Sequence, residues 1–352
     1  MRSTLFPSAR RLLAAVMLAG ATVAMPWAHA EQADDAPPPA RGELLASARG
    51  EAIDQLLASS RSADPYLRAN AIEAAQVVPD RALPMVQLAL EDEHPAVRFA
   101  ALVTIGRLKP DGVGASVREL VTEDESASVR AAARFAVHAT GGEVDLGPLS
   151  TMLGSPSPSL RSNVAILLAE MGDASAVPML AELARQPMPR VDEARQALVR
   201  IQVAETMAKL GDEASMDALR AGAYSNLGEV RVLAVQALGK LQDRRMAAAL
   251  KHMLTLEGRR RPPIELRIAA AEALARMGDR EAGLADILEG ASMDSAPIRA
   301  QAALALGHMT GRAAAQRLVE LLRDDHEQVR LAAAAAILNS GPGGLWHDPT
   351  VE

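Results

Sequence analysis

An apolar residue followed by arginine recurs nine times along the chain: Leu67-Arg68, Val97-Arg98, Val129-Arg130, Leu160-Arg161, Val199-Arg200, Val230-Arg231, Leu266-Arg267, Ile298-Arg299 and Val329-Arg330. The Arg-to-Arg steps are 30, 32, 31, 39, 31, 36, 32 and 31 residues. A unit this short cannot bury a core alone, so a period near thirty admits only architectures in which each unit stacks on the next. The pattern inside each copy fixes the unit. Three residues after the arginine stands Ala or Val, from Ala71 to Ala333. Seven after it stands an apolar residue: Ala75, Ile105, Val137, Leu168, Met207, Leu238, Leu274, Leu306 and Ile337. With the residue before the arginine, these positions are four apart and line one face of a helix, helix B.

Composition agrees with closely stacked helices. Aromatics are 2% of residues while 49% are hydrophobic, so the core is made of Ala, Leu, Val and Met. Those residues favour helix over the β-branched and aromatic content of sheets. Asp64-Pro65 and Ser157-Pro158 supply an N-cap and an N1 proline ahead of helix B, and Gly172-Asp173, Gly211-Asp212 and Gly278-Asp279 end it. A shorter apolar segment precedes each helix B and reads as helix A, for example 83–90, 177–184 and 313–322. Pro84, Pro148 and Pro178 are placed near the starts of their A helices, where a missing N–H does no harm.

The motif Asp-x-x-x-Val-Arg-x-x-Ala-x-x-x-Leu-Gly-x-x-Gly-Asp resembles the short bacterial HEAT repeat, the type also found in phycobilin lyase subunits. The resemblance covers residues 43–340. It implies an all-α fold, a right-handed α-α superhelix (HEAT/armadillo-like solenoid) of about nine helical hairpins, with B helices on the concave side. It also suggests a ladder between neighbouring repeats, joining the arginines to the aspartates twelve residues beyond them: Asp80, Asp173, Asp212, Asp243 and Asp279. These arginines are therefore assigned to structure.

Residues 1–30 read as a signal peptide: Arg2, Arg10 and Arg11, then an apolar run from Leu12 to Val23, then Ala28-His29-Ala30 as a cleavage site before Glu31. That run is shorter than the roughly 20 residues a bilayer span needs. The expectation is a periplasmic or secreted protein with no integral membrane span. Residues 31–42, with Pro37-Pro38-Pro39, read as a linker. Residues 43–59 supply a capping helix and the first helix A. Residues 341–352 form a Gly/Pro-rich tail in which Trp346 is placed either to cover the open end of the last repeat or to dock a partner. There is no cysteine, which excludes disulfides and thiolate metal sites. The whole chain carries 37 Lys+Arg against 44 Asp+Glu, and residues 1–30 hold three of the arginines and no acid, leaving 34 against 44, a net −10, after cleavage. A negative chain argues against general nucleic-acid binding, which needs a basic face.

Two surfaces are candidates for a protein partner. One is a groove lined by the positions two, five and nine residues after the arginine, including Arg107, Gln202, Glu205, Lys209, Gln236, Lys240, Glu272, Arg276 and His308. The other is the edge formed by the A–B turns. Both long repeat steps add residues there: one insertion holds Pro187, Pro189 and Arg190, the other Arg259, Arg260 and Arg261. Insertions in a solenoid collect on a binding edge.

No catalytic motif is found, neither phosphate loop, nucleophile elbow nor metal-protease helix. The deoxyhypusine hydroxylases, HEAT-like enzymes, hold iron with His-Glu pairs at the start of helix B. The only His-Glu pair here, His326-Glu327, precedes its arginine, and Phe99-Ala100 or Leu331-Ala332 occupy the later positions. The expectation is a monomeric scaffold with no enzyme activity and no cofactor. An accessory subunit of an envelope enzyme, or a structural envelope component, is the alternative.

Overall fold

The computed structural model of the chain describes residues 39–110, 114–186, 188 and 190–340. The expected signal peptide, most of the linker and the tail with Trp346 lie outside the described residues. Among them are eighteen α-helices and no strand. In order these are α1 (Pro39–Ser59), α2 (Pro65–Ala74), α3 (Pro79–Ala89), α4 (Pro95–Leu108), α5 (Ala115–Glu123), α6 (Ala127–Ala139), α7 (Gly147–Leu153), α8 (Pro158–Met171) and α9 (Val177–Arg185). Then follow α10 (Glu193–Lys209), α11 (Glu213–Gly222), α12 (Gly228–Lys240), α13 (Ala247–Thr255), α14 (Ile264–Arg276), α15 (Leu284–Ala291), α16 (Ala296–Leu306), α17 (Arg312–Leu321) and α18 (Glu327–Asn339). Odd-numbered helices are A helices and even-numbered ones are B helices, so the described residues hold nine hairpins. The fold class is the all-α solenoid of stacked hairpins.

Contacts divide the chain into two compact units, one of residues up to Val78 together with those from Ala247 onward, the other Pro79–Met246. In the second unit helix B packs on helix B in sequence order: α4 on α6, α6 on α8, α8 on α10, α10 on α12. In the first, α14 packs on α16 and α16 on α18, and the next helix against α18 is α1. The first hairpin of the chain therefore stacks on the last. This is the cover that α18 requires, because Leu331–Leu338 is buried without interruption, and a helix apolar all round must be enclosed. α1 meets it with Leu45, Ala48, Ala52 and Leu56, a stripe spaced three and four residues apart, all buried.

The core follows the repeat. The position three after the arginine has 0% exposure in all nine copies: Ala71, Ala101, Ala133, Val164, Val203, Ala234, Ala270, Ala302 and Ala333. Small side chains there let helices approach closely, as they do at Gly106. A Cβ built on Gly106 would stand 2.2 Å from Cε1 of Phe135.

Helix ends obey local chemistry. Asp64 accepts from the Tyr66 N–H at 2.8 Å and Ser157 from the Leu160 N–H at 3.4 Å. Gly172, Gly211 and Gly278 take the left-handed φ that ends their helices, at 72°, 93° and 107°. Two boundaries differ from the sequence reading. α1 begins at Pro39, inside the segment read as linker, because proline is tolerated in a first helical turn. α3 begins at Pro79, so Pro84 lies inside the helix rather than at its start.

The repeat arginines close the A–B turns. Seven of them donate to a carbonyl five or six residues back: Arg68 to Ser62 O (2.9 Å), Arg98 to Asp92 O (2.8 Å), Arg130 to Asp124 O (2.6 Å), Arg161 to Ser155 O (2.5 Å), Arg267 to Pro262 O (3.2 Å), Arg299 to Met293 O (2.8 Å) and Arg330 to Asp324 O (2.7 Å). A cation there satisfies carbonyls that have no helical partner. Arg200, in contrast, is exposed.

Rungs between neighbouring hairpins also exist, but not to the aspartates twelve residues on. Arg98 grips Asp124 with two bonds (2.7 and 3.0 Å), and Arg299 grips Asp324 likewise (2.8 and 2.8 Å). Arg267 reaches Asp286 and Glu289. The carboxylates belong to the next hairpin's A–B turn or helix A. The reason is geometric: twelve residues of helix rise about 18 Å, which puts the trailing aspartate at the far end of helix B from the arginine. Those aspartates serve A helices instead. Asp173 and Asp212 cap the start of the next hairpin (2.9 Å to Ser175 N, 3.0 Å to Ser215 N). Asp243 and Asp279 pair with cations on helix A of their own hairpin, Arg220 on α11 (2.6 Å) and Lys251 on α13 (2.6 Å).

Candidate partner-binding surfaces

The polar rows of the B helices are inward and occupied by one another. In the second unit Arg107 on α4 makes two bonds to Glu170 on α8 (3.0 and 2.9 Å), with side chains only 9% and 12% exposed. The Ser162 hydroxyl donates to Gln202 Oε1 at 2.6 Å, and Gln236 is buried. Glu205 is buried between Lys240 (3.3 Å) and Lys209 (3.7 Å). Burial acts to raise the Glu205 carboxyl, but the two ammonium groups outweigh it and hold it below its ordinary value.

In the first unit Glu272 takes two bonds from Arg276 on the same helix (3.1 and 2.9 Å), with His308 Nε2 at 3.9 Å. Arg41 on α1 donates to Gly307 O at 3.3 Å beside it. Burial, and then the neighbouring Arg276, Arg280 and Arg41, push the His308 imidazole well below its usual range, so it is neutral at pH 7. Of the nine side chains assigned to an open mixed-charge groove, none is exposed. Their stems lie along the apolar seam while opposite charges pair, which consumes the polar groups a partner would use.

The inserted edge is different. The insertion ahead of α10 is pinned: Gln196 donates to Val191 O at 2.7 Å and accepts from Met188 N at 3.4 Å, and Met188 is buried. Arg190 stands exposed at a left-handed φ of 71°. The other insertion runs from Glu257 to Pro263. A short 3-10 turn, Gly258–Arg260, follows the positive φ of Gly258 (59°), and Pro262 is buried as its anchor. The three arginines of this turn divide. Arg261 is drawn back to Glu289 (2.8 Å) and Asp286 (3.5 Å), the same acids that Arg267 holds. Arg267 and then Arg261 lower the Glu289 carboxyl from 4.5 to about 2. Arg259 and Arg260 remain exposed and, among the described residues, form no ion pair.

Each unit also has exposed apolar residues at its own A–B turns. Tyr224 (60% exposed) and Leu227 (37%) lie at the A–B turn of the second unit between α11 and α12. Met293 (38%) lies at the turn between α15 and α16 in the first unit. The signal was present as large apolar residues inside otherwise polar turn segments. Leu88, 77% exposed on α3, carries no such signal, because a leucine inside a helical segment reads as core. No three His, Cys, Asp or Glu side chains converge as a metal site among the described residues, and no described helix is long and apolar enough to cross a membrane.

The family model for HEAT repeats matches residues 53–137, 146–225 and 255–339. No curated protein matches the chain. A solved structure of human deoxyhypusine hydroxylase in complex with glycerol is similar at 15% identity, covering 84% of this chain and 98% of that one, with a TM-score of 0.35.

Proposed function

Because the chain belongs to the HEAT-repeat family, we propose that it is a non-catalytic scaffold that binds a polypeptide partner along its A–B turn edge. The observation that carries this reading is the fate of the polar side chains. Those of the B helices are spent on internal pairs, whereas Arg259 and Arg260 project from a turn held by a buried proline. The turn fixes the backbone under these two arginines and leaves their guanidinium groups open to bidentate hydrogen bonds, so the pair suits an acidic segment of a partner. The exposed Arg190, Tyr224 and Leu227 give the second unit an edge of the same mixed kind. The signal-peptide pattern of residues 1–30 supports export to the periplasm or cell exterior as part of this proposal.

The test is capture with the full chain as bait on an envelope extract, quantified for the partner retained by the unaltered chain. Arg259→Glu with Arg260→Glu is expected to weaken retention on the order of tenfold, with a loss that shrinks in high salt. Gln236→Ala, on the inward row, is expected to leave it unchanged. Equal retention by the charge-reversed chain removes this edge from the binding surface. Cell fractionation with N-terminal sequencing tests export, which predicts a mature protein starting at Glu31 outside the cytoplasm.

A further inference from the structure

The stacking of α1 and α2 on α17 and α18 joins elements from opposite ends of the sequence, with the whole of Pro79–Met246 lying between them in the chain. Its apolar part is the Leu45, Ala48, Ala52 and Leu56 stripe against α18. Its polar part departs from the other rungs. Where Arg98 and Arg299 each hold a carboxylate with two bonds, Arg330 in the equivalent place holds the neutral Gln55 by one bond of 3.1 Å. The remaining contacts are Arg323 with Glu51 (3.1 and 2.9 Å, side chains 69% and 39% exposed), Ser62 with Glu327 (2.8 Å) and Arg41 with Gly307 O. Exposed pairs of this sort contribute little to stability.

The junction is thus complete in itself, built by one contiguous hairpin, and linked to its seat by no short connection. The hairpin leaves its unit through one segment, a 3-10 turn at Ala75–Val77 followed by Val78-Pro79. Each of these junction contacts can be made to α17, α18 and Gly307 of another copy, so exchange leaves them intact and changes the hinge and the entropy of association. We infer that the first hairpin is exchangeable, and that the face of α17–α18 accepts the α1–α2 hairpin of a second copy of this chain, giving a swapped dimer. Vacated, that face fits little else so well. It takes a helix with a small-and-leucine stripe spaced three and four residues apart, to which Glu51 adds only a minor pairing.

The chain has no cysteine, so single reporters are clean. A full chain carrying only Glu51→Cys is mixed with one carrying only Arg323→Cys, unfolded in denaturant, refolded together and treated with a short flexible bismaleimide. Exchange predicts a covalent heterodimer after concentrated refolding, falling at least roughly tenfold after dilute refolding as mass action requires. The yield from chains refolded separately and then mixed gives the background of random collision. A concentrated co-refold that gives no more heterodimer than that background overturns the inference. The double variant, refolded dilute, must give an intrachain-linked monomer; its failure to do so would remove the junction itself and overturn the inference by another route. Neither result depends on whether Arg259 and Arg260 hold a partner.

Discussion

Leu238 and Arg231 stand seven residues apart in one repeat and carry different loads. Leu238 is fully buried on the seam, and truncating such a side chain costs the transfer term plus a cavity, about 2–5 kcal/mol for Leu238→Ala. Arg231→Ala is expected to cost clearly less, because this half-buried arginine is not among the seven that hold a turn carbonyl and its loss opens no apolar cavity. Urea midpoints of the two variants check this, and equal losses would show that the repeat arginines hold the fold as much as the seam does. His308 makes a second residue-scale argument. Its folded pKa lies well below the ordinary 6.5, so the unfolded chain binds more protons as pH falls. Stability is then complete above about 6.5 and declines as the pH drops through the folded value. His308→Gln is expected to flatten the fall in urea midpoint between about pH 7 and 5. The parallel slope of the unaltered chain and the variant would place the acid sensitivity elsewhere.

At the scale of the helix, close approach decides more than propensity. Gly106 sits inside α4, where alanine ordinarily stabilises a helix by about 0.5–1 kcal/mol. Here the added methyl meets the Phe135 ring of α6, and overpacking of this kind costs about 1–3 kcal/mol. Gly106→Ala is therefore expected to lower the thermal midpoint, and Phe135→Leu in the same chain to restore part of it. A rise with Gly106→Ala alone would mean that α4 and α6 separate without penalty. The seam that makes these helices was legible, since the three-and-seven spacing after each arginine needs only the helical period. What each arginine holds was not. The resemblance implied the aspartate twelve residues on, while stacking brings Asp124 to Arg98 and Asp324 to Arg299 across repeats. Likewise Glu205, Glu272 and His308 read as groove residues because polarity at regular spacing looks like exposure. Only the packed neighbours reveal that Lys240, Arg276 and Arg41 are arranged around them inside. The inserted turns were legible as breaks in the period. The split of their arginines, with Arg261 taken back by Glu289, depends on a contact 28 residues away.

Across the molecule, the reading of the two ends changes the most. From the sequence alone, the last hairpin needs a cap, and nothing in the repeat pattern points to the other end of the chain for it. The first hairpin packs on α18, so a compact unit is made from Val78 backward and Ala247 forward. Cooperativity should follow this grouping rather than the order of residues, because protection reflects the contacts that must break together. Within the first unit, α18 is enclosed by α16, α17 and α1, and its buried run Leu331–Leu338 is stable only with all three in place. Leu56 ends the α1 stripe and has 0% exposure. Replacing it by aspartate sets an unpaired charge against an apolar seam, a substitution that costs several kcal/mol if the contact is kept. The cheaper response is for α1 to leave. Leu56→Asp is therefore expected to accelerate hydrogen exchange in residues 327–339 at least as much as in α1 itself, though the two segments are far apart in sequence. Exchange in α6 and α8, whose cores lie wholly within Pro79–Met246, is expected to stay near that of the unaltered chain. If instead protection fell evenly along the array from its N-terminal end, the hairpins would be behaving as a string of nearest neighbours, and the docking of the first on the last would carry no stability.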